Sequence, residues 1–164
     1  MRIYIAADHA GFDLKQKLVN VLRGEMRADV EDCGAFEKDP TDDYPDFVAS
    51  AARMLAQDLK EGSESRMIAI GASGQGEAMV ANRFKGVRCA LYYGPAGSTQ
   101  RDASGHELDV LDSSRVHNDA NALSIGARFL SEDEAIRAVK RWLELPFSNE
   151  DRHVRRIEKM DRLG

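Results

Sequence analysis

The stretch Met67-Ile68-Ala69-Ile70-Gly71-Ala72-Ser73-Gly74-Gln75-Gly76-Glu77-Ala78-Met79-Val80-Ala81-Asn82 decides how the chain is read. A short apolar run breaks into a glycine-rich bend. The bend opens into small and apolar residues that carry one carboxylate, Glu77. A strand feeding a helix through such a bend leaves N–H groups without intrahelical partners, and these attract an anion. The pattern reads as a place where an anion is held and a proton is moved. It lacks G-x-G-x-x-G, because Met79 stands three residues after Gly76, and it lacks the Gly-Lys-Ser/Thr of a phosphate loop. Nucleotide binding is therefore weakly supported. The competing reading is a plain turn with a capping acid. A capping box at Ser73 would need its acid at position 76, which is Gly76.

Outward from this stretch, strand-like and helix-like segments alternate. Residues 2–7 read as a buried strand ending at Asp8-His9. Leu14, Leu18, Val21 and Leu22 mark a helix face that stops at Gly24. Residues 28–33 read as a second strand, and 37–45 as an acidic loop. Phe47, Ala51, Leu55 and Leu59 stripe a second helix, and 66–71 form the third strand. The helix after the bend is expected to run to about Phe84. Residues 87–93 read as the fourth strand, 94–114 as a long loop, and 122–127 as the fifth strand. Ser131 with Glu134 forms a capping box for a helix that Pro146 breaks. A last helix is expected over about 149–162. The alternation predicts an α/β, Rossmann-like, three-layer single domain over 1–164 with a five-stranded parallel sheet. Ligands in such sheets bind beyond the carboxyl ends of the strands. Asp8-His9, the Gly71–Glu77 bend and Arg128 fall there.

The 164 residues carry a formal net charge of -5. That excludes a general nucleic-acid binder, which needs a basic face, but leaves room for a small basic pocket. The first residues do not read as a signal peptide, and no apolar stretch reaches a membrane span. A cytoplasmic protein is expected. Cys33 and Cys89 lie far apart without C-x-x-C spacing and read as buried free thiols. No H-E-x-x-H or Cys/His cluster points to a metal, and no cofactor is indicated.

His9 and His117 are two of four histidines. Each fits a structural role or a proton carrier near neutral pH, and both are expected at loop ends on one rim. Asp8 is placed to orient a hydroxyl. Arg152 and Arg156, four apart, share a helix face. That face fits a phosphate or simply a solvated surface. His106, in the long loop, is expected to have no role. Taken together, Glu77 takes a proton from carbon, N–H groups steady an oxyanion and arginines hold a phosphate. Without metal or cofactor, that chemistry is aldose–ketose isomerisation.

Six motifs in order then resemble the type B ribose-5-phosphate isomerases and their galactose-6-phosphate isomerase relatives. They are Asp8-His9-Ala10-Gly11-Phe12-Asp13-Leu14-Lys15, Asp32-Cys33-Gly34-Ala35 and Asp42-Asp43-Tyr44-Pro45-Asp46-Phe47. The later three are Gly74-Gln75-Gly76-Glu77 with Ala81-Asn82-Arg83, Ser114–Asn121, and Arg152–Ile157. The family has a version with a Cys base, where this chain has Gly71, and a version with a Glu base, which Glu77 follows. The resemblance implies that His117 opens the sugar ring and Glu77 moves the proton between C2 and C1. It implies that Asp8 and His9 contact the sugar, that Ala72, Ser73, Gly74, Gln75 and Gly76 form the anion-holding loop, and that Asn118 assists. It gives the phosphate to Arg128, Arg152 and Arg156. It also implies a homodimer or dimer of dimers, each site completed by the C-terminal segment of a neighbour.

Two departures from the family stand out. The segment 94–114 is longer than the family usually has before its His-Asn motif, by something over about a dozen residues, long for a loop in a compact domain. A lid, a change of sugar choice, altered subunit contacts and a tolerated insertion are its open readings. Ala72 stands where glycine is common, at a cost of about 1 kcal/mol if the backbone there is left-handed. The expected reaction interconverts D-ribose 5-phosphate and D-ribulose 5-phosphate. The competing readings are the same chemistry on allose or galactose 6-phosphate, or a non-catalytic sugar-phosphate or nucleotide sensor.

Overall fold

Side chains along β1 (Arg2–Ala7) alternate between two cores. Ile3, Ile5 and Ala7 join one and Tyr4 and Ala6 the other. The computed structural model of the protein describes residues 1–95, 100–102, 105 and 107–163. In chain order the elements after β1 are α1 (Phe12–Gly24), β2 (Asp29–Asp32), α2 (Tyr44–Lys60), β3 (Arg66–Gly71), α3 (Gln75–Ala81) and β4 (Cys89–Tyr92). Then follow β5 (Gln100–Arg101), β6 (Glu107–Leu108), α4 (Val110–Val116), β7 (Ala122–Gly126), α5 (Glu132–Glu144) and α6 (Asp151–Asp161).

Five strands pair in parallel in the order β2-β1-β3-β7-β4. This is the α/β class expected from the alternation. Leu18, Leu22, Leu111, Val139 and Trp142 cover one face of the sheet. Val48, Ala51, Leu55 and Ala81 cover the other. From β1 the chain steps one way to β2 and later returns to the other side for β3. The crevice between β1 and β3 is thus a topological switch point, where open α/β sheets bind ligands.

Several local expectations are corrected. The helix after the bend ends at Ala81 rather than near Phe84. Asn82 instead turns its side-chain amide onto the backbone of Cys89, donating to its carbonyl at 3.0 Å and accepting its N–H at 2.8 Å. The stretch 94–114 is not a loop throughout. Gln100 and Arg101 pair antiparallel with Leu108 and Glu107, and α4 starts at Val110, capped by Asp109, whose carboxylate accepts the Asp112 N–H at 2.8 Å. His106 lies outside the described residues. The thiols of Cys33 and Cys89 are free but only half buried, and burial pushes both up to about 12. Lys15, on α1, is fully buried and held by both oxygens of Asp32, at 2.5 and 2.7 Å. The Ser131–Glu134 capping box is formed with both of its bonds.

Candidate active site

Glu77 is the third residue of α3 and is only 4% exposed. The bend that carries it is fitted around its glycines. Gly74 caps α3 with φ +74°, the left-handed region that favours glycine. A Cβ there would meet the backbone of Ile125 at 2.9 Å and the Ser124 hydroxyl at 3.0 Å. That hydroxyl donates to the Gly74 carbonyl at 2.6 Å. A Cβ on Gly76 would overlap the hydroxyl of Tyr44, so the tyrosine packs on the first turn of α3. A Cβ on Gly71 would overlap the Glu77 carboxylate itself. Ala72 is not among the left-handed residues, so alanine costs nothing in backbone strain there. The bend is tied to the end of β7 by Ala127 N–H to Gly71 O at 2.9 Å and Arg128 N–H to Ala72 O at 3.1 Å. Arg128 itself is exposed.

Burial raises the Glu77 carboxyl above the usual carboxylate value, its own backbone N–H opposes this, and the negative charge of Asp8 adds to the rise. Asp8 is buried at the end of β1, and one of its oxygens accepts the N–H groups of Ala10 and Gly11 at 3.0 and 3.2 Å. His9 beside it is bonded at Nδ1 to Asp42 at 2.6 Å. Asp8, His9 and Asp42 bring three donor atoms within 4.8 Å of one another. Asp42 Oδ1 is bonded to His9, and Asp8 Oδ1 accepts backbone amides, so the three residues form a hydrogen-bonded group. One rim therefore holds Asp8, His9, residues 72–76, Glu77 and Arg128.

His117 is on the other rim, which corrects the expectation that His9 and His117 share one. β3 and β7 run parallel, with Gly71 opposite Gly126 at their carboxyl ends and Met67 opposite Ala122 at their amino ends. Glu77 follows the carboxyl end of β3. His117 caps α4 and precedes the amino end of β7. Five residues at about 3.3 Å each put about 16 Å of strand between the two rims. Asn118 is with His117, its carbonyl accepting from Arg88 at 3.2 Å just before β4 begins.

A cavity of about 440 Å³ opens beside His117, lined by Asn118, Ser113, Tyr92, Arg101 and Asp102 among others. Glu77, Asp8 and His9 do not line it. The Nε2 of His117 is buried without a hydrogen-bond partner among the described residues, and the Asp102 carboxylate is 3.9 Å away. Ser113 Oγ reaches Nδ1 at 3.3 Å.

Helix α6 belongs to the same rim. His153 is 2% exposed, its ring centroid 4.5 Å from that of His117, and its Nδ1 is bonded to Ser148 Oγ at 2.6 Å. Burial, then the charges of His117 and Arg152, hold His153 below the usual histidine value. Arg152 is half buried and paired with Glu150 at 2.8 Å, while Arg156 is exposed. The structure thus sorts the candidate residues into two halves on opposite rims. Sequence reasoning missed Asp42, Tyr44, Asp102 and His153 as members of either half. His153 hides in a basic run, and its four-residue spacing to Ile157 was the available sign of a packed face.

The family model described as Ribose/Galactose Isomerase matches residues 3–160. The ribose-5-phosphate isomerase B of Mycobacterium tuberculosis is 38% identical over 159 residues, covering 96% of this chain and 86% of that one. The protein of the same name from Mycolicibacterium paratuberculosis is 36% identical over 96% of this chain and 88% of its own. Among solved structures, ribose-5-phosphate isomerase B of Mycoplasma genitalium with bound ribulose-5-phosphate superposes with a TM-score of 0.83 at 32% identity, covering 98% of this chain and 94% of that one. With a matching model over nearly its whole length, relatives above 30% identity and the same fold, the chain belongs to the ribose/galactose isomerase family.

Proposed function

We infer that this chain is an aldose–ketose isomerase that interconverts D-ribose 5-phosphate and D-ribulose 5-phosphate. The relatives named for that reaction support the substrate. The observation that carries the chemistry is Glu77, a buried carboxyl beside a glycine-cradled helix start, with a raised proton affinity. A carboxylate so placed abstracts a proton from C2 of the open-chain aldose. The electron pair left behind enters the C1–C2 bond and negative charge collects on O1. Amides of the 72–76 loop steady that enediolate. Glu77 returns the proton to C1, and O2 becomes the carbonyl as its proton passes to O1. Asp8 and His9 hold sugar oxygens, and Arg128 approaches from the end of β7.

The residues on the other rim enter through a second copy of the chain. His117, whose buried Nε2 has no hydrogen-bond partner among the described residues and the Asp102 carboxylate 3.9 Å away, donates a proton to the ring oxygen and opens the sugar. Asn118 assists, and Arg152 and Arg156 hold the phosphate. The strand separation supports this reading, since one chain does not bring Glu77 and His117 together. The sheet edge at β4 and the exposed Met79, Tyr93 and Phe129 give a second copy apolar surface to cover. No described helix is long and apolar enough to cross a membrane.

The test is turnover of ribose 5-phosphate against allose and galactose 6-phosphates by the same preparation. A clear preference for the five-carbon substrate is expected. Preference for a hexose phosphate overturns the substrate assignment, and binding without turnover of any overturns the enzyme.

A further inference from the structure

Asp42 stands in the loop before α2, 33 residues from His9, and meets it twice with one oxygen. The Asp42 Oδ1 accepts the His9 backbone N–H at 3.1 Å and faces the ring Nδ1 at 2.6 Å. An ionised carboxylate only accepts, so the ring nitrogen facing it carries the hydrogen. That fixes the ring orientation and leaves Nε2 as the working edge. The Asp42 side chain is 8% exposed and the His9 side chain 31%, so the carboxylate is behind the ring and the ring is open to the rim. The second Asp42 oxygen is buried without a hydrogen-bond partner among the described residues. The loop is braced for this. The Asp39 carboxylate accepts from Thr41 N–H and hydroxyl at 2.9 and 2.7 Å, and the Asp39 carbonyl accepts the Asp42 N–H at 3.1 Å.

We propose that Asp42 is a positioning residue of the isomerase. It grips the His9 imidazole through Nδ1–H and presents the Nε2 edge to an oxygen of the sugar phosphate bound beside Asp8 and Glu77. This rests on the isomerase reading above.

The charged groups facing His9 are Asp8 at the end of β1, Asp42 and Asp39 in the loop before α2, and Arg128 after β7. The bond to Asp42 raises the imidazole above the usual histidine value, burial lowers it, Asp8 raises it and Arg128 lowers it, with a net rise. His9 thus keeps its Nε2–H as a charged donor to higher pH than a free histidine does.

The experiment pairs Asp42→Asn, which keeps an accepting oxygen and loses the charge, with Asp42→Ala, which loses both. His9 is followed by nitrogen-detected NMR of the ring, alongside pH profiles of KM and kcat for ribose 5-phosphate. In Asp42→Asn the His9 midpoint moves to lower pH, and KM rises at alkaline pH while approaching the wild-type value on the acid side. In Asp42→Ala, KM rises about tenfold across the range and the ring loses its fixed Nδ1–H tautomer. An unshifted His9 titration with wild-type KM profiles in both variants overturns the proposal. If the wild-type protein turns over no ribose 5-phosphate, the isomerase reading fails on its own, and the NMR titration still decides whether Asp42 controls His9.

Discussion

The Glu77 carboxylate occupies the space that a side chain on Gly71 would need. One volume next to the end of β3 therefore admits either a side chain at position 71 or this carboxylate. The resemblance implies a Cys base at the first position in one version of the family and a Glu base at the second in the other, and a shared volume is a steric reason for such an alternation.

Gly71→Ala is expected to push the carboxylate out of position. Overpacking of this kind costs about 1–3 kcal/mol. Loss of a placed base costs about 10²-fold or more in kcat. Removing the carboxylate should relieve the clash. In a double-mutant cycle by denaturant unfolding, Gly71→Ala is expected to cost about 1 kcal/mol less in a Glu77→Ala background than in the wild type. Simple additivity would show that the two positions do not share this space.

What could be read from the sequence was local. β1, β3 and the Ser131–Glu134 cap are each specified within a few residues, and all three are formed. The rim on which a residue lies is a matter of strand direction. His9 follows a strand and His117 precedes one, and no periodicity distinguishes the two cases. The extent of α3 was misjudged because Asn82 leaves the helix to bond β4, a contact across space. The β5–β6 pairing was missed because each strand has two residues, too few to show alternation. The Asp109 cap of α4 was a readable signal.

Glu77 gives a pH prediction with a definite sign. Its folded-state value is raised, chiefly by burial, so the unfolded chain ionises first. The stability it allows is fully present below the unfolded carboxylate value and is lost as pH rises through the folded one. Glu77→Gln should therefore be more stable than wild type at pH 7–8, with the two converging near pH 3. Its kcat should fall by about 10²–10⁴. In the wild type, the acid limb of kcat/KM should lie above the ordinary glutamate range. Equal melting temperatures at pH 7.5 together with near-normal turnover would sink both parts.

Lys15 tests a different part of the fold. It lies three and seven residues before Leu18 and Leu22, on the buried face of α1, and is 0% exposed and held by both oxygens of Asp32, which keeps 20% exposure. Removing one partner of a buried pair leaves an uncompensated charge at about 3–5 kcal/mol, and the residual exposure of Asp32 places this case at the lower end. Lys15→Ala is expected to cost about 3 kcal/mol in urea unfolding. The pair Lys15→Met with Asp32→Leu should cost less than Lys15→Ala alone. A cost below 1 kcal/mol for the single change would mean that Lys15 is solvated in solution.

The separation of Glu77 from His117 by the height of the sheet makes the strongest prediction. If each site takes its base from one chain and its ring-opening acid from another, Glu77→Gln and His117→Ala damage different halves of it. Each variant alone has no intact site. In a mixed dimer, Glu77 from the His117→Ala chain meets His117 from the Glu77→Gln chain, and one of the two sites is whole. Random assortment in a two-fold dimer then restores about a quarter of the wild-type sites. Co-expression with two affinity tags, isolation of the mixed species and an assay on ribose 5-phosphate measure this directly. The doubly tagged species should be active while both parents are nearly silent. A mixed dimer no more active than its parents would place both residues in one chain's site, against the direction of β3 and β7.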